Sequence, residues 1–553
     1  MEEKFVRLEC LFEGHRDGIE NGIEPQNQYA RGDGRMKLKP HILTAALILE
    51  LGVIPALAFA QLPAPQKPFE PKVPQGEPGC RIDKPCAEVA PDIIKSALGA
   101  SPLENNLRHL TDVIGGRVTG SPAAEKAVDW AVESFRKAGV DEVHTEKFTI
   151  PVGWAEGHTQ LVLLSPTSFP VHLVSTGWSP AIPAGGITTN VVDVGTGDEA
   201  GFARAGPVRG ALVLVHRNIL KKTWDEDEYQ DQPAIIDRAL KAGAAAILWM
   251  STRPYMLLYR LTLSIDGKLE PLPQAIVARE DAERMARLIA SGSQVEARLD
   301  LPNKISGPTD SENVVAEIRG REKPDEFVIL GAHLDSWELG TGALDDGCNV
   351  AMVIDAARAI RASGYIPRRS IRFVLFTGEE QGMLGSWAYA RAHRNQLDNM
   401  DAAIIFDSGD GRVTGYSLGG RKDIADALQN ALLPLAAFGP FQNTANAEDD
   451  ADNFDFLLEG VPALESNQEP NDYIMNYHAA SDTLDKVDIA ELKSNEAVAA
   501  VTAYAIADLP SRLGQRLSRA QIEQLMKETG LDKQLKEDGT WPLWVSGERG
   551  RQP

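Results

Sequence analysis

Three apolar runs constrain this fold more than any other feature: Phe327-Val-Ile-Leu330, Ile371-Arg-Phe-Val-Leu-Phe376 and Ala402-Ala-Ile-Ile-Phe406. Each has the length of a buried strand, and helical stretches at 347–362 and 383–395 separate them. Strand–helix alternation predicts an α/β sheet with helices on both faces. In such a sheet ligands bind beyond the carboxyl ends of the strands, so the residues that follow each run are the ones to inspect.

Those residues are of metal-binding type throughout. His333-Leu-Asp335 follows the first run, Gly378-Glu379-Glu380 the second and Asp407 the third. Asp345-Asp346 lies in the loop Gly342-Ala-Leu-Asp-Asp-Gly347 that opens the 347–362 helix, and His478 sits in Tyr477-His478-Ala-Ala-Ser-Asp482-Thr483. Each alone has an ordinary explanation: a structural histidine, a solvated Glu-Glu pair, an aspartate capping a helix. Their joint placement carries the argument, because acids and imidazoles at the ends of neighbouring strands converge. Carboxylates gathered that closely raise one another's pKa unless counter-charge is supplied. Divalent cations supply it, and imidazole with carboxylate suits zinc. A carboxylate shared between two ions makes a co-catalytic pair, and Asp345 is placed to be the bridge.

The chain resembles the co-catalytic zinc exopeptidases, in particular the plasma glutamate carboxypeptidase (carboxypeptidase Q) type. The matching segments are Gly331-Ala-His-Leu-Asp-Ser-Trp337, Gly342 to Gly347, Thr377-Gly-Glu-Glu-Gln-Gly382, Asp407 with Gly409, and His478 to Thr483, within a similarity running from about 105 to 490. The resemblance implies a three-layer α/β/α domain with a mixed central sheet and two Zn2+ ions. His333, Asp345 and Asp407 hold one ion, and Asp345, Glu380 and His478 the other. It makes Glu379 the general base toward a metal-activated water, and places Asp335 behind His333 as acceptor of the other ring N–H. It also implies a cis peptide at Asp345-Asp346. Tyr477 is either an oxyanion donor or a packed aromatic beside a ligand. Asp452, in the run Glu448-Asp-Asp-Ala-Asp452, aligns with a pocket aspartate of the family, or belongs to a solvated acidic loop. Phe454 and Asp455 break the pattern of a calcium loop there.

The remaining sequence sets the organisation. Residues 1–35 read as a disordered leader with a misassigned start. Residues 36–60 read as a secretory signal peptide: Met36-Lys37-Leu38-Lys39, an apolar run from Ile42 to Leu51, then Ala58-Phe59-Ala60. A Pro-rich tether covers 61–87, with Cys80 and Cys86 expected to close a small disulfide loop. The peptidase domain is expected over 88–154 and 306–509. Short β-rich runs across 155–305 form an insert that resembles a protease-associated domain through Val208 to Val215, Ala242-Gly-Ala-Ala245 and Pro273 to Val277. A helical tail, 510–553, either covers the core or supports a homodimer.

With 79 acidic against 56 basic residues and a net charge of −23, the chain offers no electrostatic footprint for nucleic acid. No membrane span is expected in the mature chain. The function read from these features is an exported exopeptidase acting on short peptides or dipeptides, of aminopeptidase or dipeptidase type. The alternatives are a glutamate-carboxypeptidase-type carboxypeptidase and, in a different class, a non-catalytic peptide-binding or receptor-like protein on the same scaffold. An aminopeptidase needs an acid such as Asp452 or Glu448 for the substrate ammonium; a carboxypeptidase needs a guanidinium such as Arg412 or Arg421.

Overall fold

A computed structural model of the protein describes residues 86–220 and 231–552. The leader, the signal-peptide pattern, the tether and Cys80 lie outside the described residues. Cys86, expected to pair with Cys80, is a free thiol opening the first described helix, α1 (Cys86–Leu98), where burial and Asp508 push its pKa up to about 12. Only Cys86 and Ala87 of this helix fall within the expected tether; its apolar face, Val89, Ala90, Ile93 and Ala97, packs inward.

Helix α2 (Pro122–Ala138) begins where Ser121 caps it: the Ser121 hydroxyl accepts the Ala124 N–H at 3.2 Å, and Pro122 sits in the first turn. Gly139, at φ 83°, ends it. The strands β1 (Glu142–Ile150), β2 (Thr309–Ile318), β3 (Lys323–His333), β4 (Arg369–Phe376), β5 (Met400–Ile405), β6 (Val413–Ser417) and β7 (Ala463–Gln468) form one sheet in the order β1-β2-β4-β3-β5-β7-β6. Pairing is parallel for β4-β3-β5-β7 and antiparallel at both edges, so the sheet is mixed.

Alternation along the strands sorts side chains between two cores. Val328, Leu330, Ala332, Ile371, Phe373, Leu375, Ala402 and Ile404 face α1, α2, α3 (Cys348–Ser363) and a long helix at Ile489–Asp508. Phe327, Ile329, Val374, Phe376, Ala403 and Ile405 face the other side, where α4 (Leu384–Ala392), α5 (Asn453–Leu458) and the C-terminal helices pack. Ile522, Leu525, Met526, Leu531, Leu535 and Trp544 bring residues 519–546 into this second core, so the tail covers the sheet.

A second sheet of eight strands, built from segments between Gln160 and Asp300, carries its own apolar clusters. Aromatic packing links it to the seven-stranded sheet's loops: Trp154 stacks on Trp178 at 5.8 Å, and Trp178 meets Trp337 edge-on at 6.4 Å. Within this unit the Glu270 carboxyl is buried, accepts the Leu263 N–H at 2.8 Å, and is raised to about 7, chiefly by desolvation. The native state therefore holds a proton between about 4.5 and 7 that the unfolded chain has released. Stability from this group is complete below about pH 4.5 and is lost as pH rises through 7. Glu270→Gln is expected to flatten the fall of Tm across that window relative to wild type, by up to about 3 kcal/mol in stability. Thermal melts of both proteins from pH 4.5 to 8 measure it; parallel curves would refute it.

Candidate metal centre

The carboxyl ends of the parallel strands deliver the site. His333 ends β3, Glu379 and Glu380 follow β4, and Asp407 follows β5. The loop before α3 and the turn at 477–482 bring Asp345 and His478 to the same place. His333 Nε2 lies 3.2 Å from Asp345 Oδ1 and 3.1 Å from Asp407 Oδ1. His478 Nε2 lies 3.3 Å from Asp345 Oδ2 and 3.0 Å from Glu380 Oε2. The two oxygens of one carboxylate thus face two separate imidazole–carboxylate groups. Donor atoms of Asp345, Glu380 and His478 fall within 4.8 Å of one another, as do those of His333, Asp346 and Asp407.

The electrostatics are those of an acid cluster wanting positive charge. Desolvation, then Asp407, Glu380 and Asp452, push the Glu379 carboxyl well above its usual range against the pull of His333. Burial and Asp345 bring Glu380 to about 7. Burial alone would depress His333, but Asp407, Asp335 and Asp345 hold it well above an ordinary histidine. Asp345 Oδ2 and Glu380 Oε1 are buried without a hydrogen-bond partner. Two sets of one ring nitrogen and carboxylate oxygens, with orphaned buried oxygens between them, fit a pair of divalent cations.

The frame around Asp345 comes from residues whose roles the sequence did not disclose. Arg117, fully buried, donates from Nε to Leu334 O (2.5 Å), from Nη1 to Thr341 O (2.9 Å) and from Nη2 to Gly342 O (3.0 Å). A Cβ at Gly342 would stand 2.3 Å from Ser336 Oγ and 2.7 Å from Arg117 Nη1, and φ there is +59°. Only glycine lets the arginine so close. From the other side the Asp482 carboxylate accepts N–H bonds from Ala343 (3.0 Å), Leu344 (2.7 Å) and Asp345 (3.2 Å). The Asp345–Asp346 peptide is cis. Asp346 turns away from Asp345 to accept the His333 N–H (3.1 Å) and the Asn349 amide (2.6 Å).

Asp335 departs from expectation in one respect. His333 Nδ1 is 3.1 Å from the Asp335 carbonyl but 3.7 Å from its carboxylate. That carboxylate instead accepts the Thr119 hydroxyl (2.7 Å) and the Glu379 N–H (3.3 Å), tying β3 to the Glu379 turn. His478 has a left-handed backbone, φ 58°, uncommon for a residue with a side chain. Residues 259–260, from the segment of the second sheet, contact it there: Arg260 N donates to His478 O at 2.9 Å and Tyr259 pairs with Ala479. Tyr477 stacks on His478 with ring centroids 3.6 Å apart. Asp452 is fully buried with neither oxygen hydrogen-bonded, and the neighbouring Ser386 hydroxyl donates to Asp455 (3.1 Å), so the solvated-loop reading is set aside. Arg412 pairs with Glu469 at 2.6 Å, and Arg421 is spent on Asp423 (2.8 Å) and the Gly460 and Gln515 carbonyls.

The model of peptidase family M28 matches residues 313–503, and carboxypeptidase Q of Mus musculus is 32% identical over 413 residues, 73% of this chain and 85% of that protein. The chain belongs to peptidase family M28. The crystal structure of a peptidase M28 precursor from Shewanella amazonensis SB2B superposes on this M28 peptidase with a TM-score of 0.71 and 29% identity, covering 78% of this chain and 99% of that one. A zinc aminopeptidase from Bacillus subtilis shares the fold, with a TM-score of 0.59 at 20% identity over 75% and 97% of the two chains. Among the described residues no helix is long and apolar enough to cross a membrane.

Proposed function

We propose that this M28 peptidase is an exported di-zinc exopeptidase of aminopeptidase or dipeptidase type, acting on short peptides. The observation that carries the reading is the placement of Asp345, with one oxygen toward His333 and the other toward His478. His333, Asp345 and Asp407 would hold one zinc, and Asp345, Glu380 and His478 the other. Bound there, the pair supplies Lewis acidity toward the scissile carbonyl and lowers the pKa of water.

The chain's own residues do the rest. Glu379, buried beside His333, Asp407 and Glu380 and with its backbone N–H bonded to Asp335, takes the proton from the attacking water and passes it to the leaving amine. Arg117 and Asp482 fix the Asp345 loop from its carbonyl and N–H sides, so the bridging carboxylate does not reorganise during turnover. Tyr477, beside His478, is assigned as a donor to the developing oxyanion, and Asp452 to the substrate ammonium. Both candidate guanidiniums for a substrate carboxylate are engaged elsewhere, which favours recognition of the amino end.

A dipeptide panel with free, acetylated and amidated termini tests the reading. Acetylation is expected to abolish cleavage and amidation to be tolerated. The reverse result would assign carboxypeptidase chemistry, and binding without cleavage by the zinc-loaded protein would favour the receptor-like reading. Export rests on the 36–60 pattern, and the N-terminal sequence of the secreted protein tests it.

A further inference from the structure

A second acidic group lies beside the metal centre and takes no part in it. Glu465, on β7, pairs with Ile405 of β5 on one side and Ser417 of β6 on the other. It is level with the last paired residue of β5, two residues short of Asp407, at the carboxyl edge where this fold binds ligands. Carboxylate oxygens of Glu448, Asp450 and Glu465 fall within 4.8 Å of one another. Glu465 is only 9% exposed, and its Oε2 is buried without a hydrogen-bond partner. Exposure grades along the group, from exposed Asp450 through half-buried Glu448 to buried Glu465, so the acids descend from solvent to the sheet edge.

The loop that carries the upper two acids is fastened at both ends. Before them, Asn446 O accepts from Gly420 N (2.9 Å) and Ser417 Oγ (3.1 Å). After them, Asp452 leads into buried α5. Among the described residues Asn446 Nδ2 donates to Glu448 Oε1 at 3.2 Å, while Arg412 pairs with Glu469, Arg421 with Asp423, and Arg549 with Asp455 at 2.8 Å. A buried carboxylate with an open acceptor, under two more acids, is built for a ligand that brings several N–H donors and positive charge.

We infer that Glu465, Glu448 and Asp450 form a specificity pocket for a lysine or arginine side chain of the peptide substrate. The inference rests on the peptidase reading and adds its substrate class. Oxygens lying within 4.8 Å of one another can share a single ammonium or guanidinium, whereas an acidic side chain there would add a further acid to the group. A calcium ion is the competing occupant, although the run 448–452 lacks the ligand spacing of a calcium loop.

Lys-Ala, Leu-Ala and Glu-Ala, and the same pairs in reversed order, are to be assayed with the zinc-loaded full chain. In one of the two orders, kcat/KM for the lysine peptide is expected to exceed that for leucine by at least about tenfold, and glutamate to be poorest. Glu465→Gln is expected to bring the lysine-to-leucine ratio near one, and Glu448→Gln, at a more exposed position, to lower it part of the way. Equal ratios in wild type, or a ratio that survives both substitutions, would overturn the pocket while leaving the peptidase reading intact. Cleavage of none of the peptides would overturn the peptidase reading and the pocket with it. A rise in Tm with added calcium that Glu465→Gln abolishes would reassign the acids to a metal.

Discussion

Glu379→Gln is expected to lower kcat by about 10²–10⁴-fold while zinc content stays at the wild-type level, because the substitution removes a proton acceptor and no metal ligand. Among the described contacts, Glu379 is tied to its surroundings through its backbone, whose N–H donates to Asp335 Oδ1 at 3.3 Å. Glutamine keeps that bond and the side-chain volume, so the turn that also carries Glu380 should hold its shape. Glu380 faces His478 and its loss should instead be read in the metal content. Metal analysis with steady-state kinetics on the same preparation separates the two. A variant with full zinc and near wild-type kcat would remove Glu379 from the proton path.

The site was legible to the extent that its residues announce themselves locally. His333, Glu379, Glu380 and Asp407 each follow an apolar run, and strand-end position is visible in sequence. Asp345 was recognisable from its loop, and His478 from the segment around it. What holds them was not visible. Arg117 sits 225 positions before the Gly342 carbonyl it binds, in a stretch with no motif, and a buried arginine reads in sequence like a surface one. Asp482 lies in the same short segment as His478, yet its three N–H bonds to 343–345 appear only once the chain has turned back on itself. The acidic run 448–452 misleads for the same reason. Its composition suggests a solvated loop, but Asp452 leads into α5 beneath the C-terminal helices and is buried. The carbonyl of His478, whose backbone is left-handed, accepts from Arg260 N, far away in sequence, so no local pattern displays that contact.

Asp345→Asn is expected to be more damaging than loss of any residue that serves one imidazole group alone. The substitution replaces a carboxylate whose oxygens lie 3.2 Å and 3.3 Å from the two histidines. An amide offers one acceptor oxygen and no charge, so it cannot serve both groups. The loop itself should survive, because Asp482 and Arg117 hold it through the backbone N–H groups and carbonyls of 341–345. Zinc is therefore expected to fall from about two ions per chain to one or fewer, with kcat/KM down by about 10³-fold or more, the several kcal/mol that a catalytic cation contributes. Asp407→Asn makes the contrast, since Asp407 lies against His333 alone among the two rings and its loss should leave the Glu380–His478 group loaded. Metal content by mass spectrometry and circular dichroism of the three proteins decide the matter. If Asp345→Asn kept both ions, a shared carboxylate would no longer be the organising element of this centre, and the His333–Asp346–Asp407 grouping would become the better description of its first half.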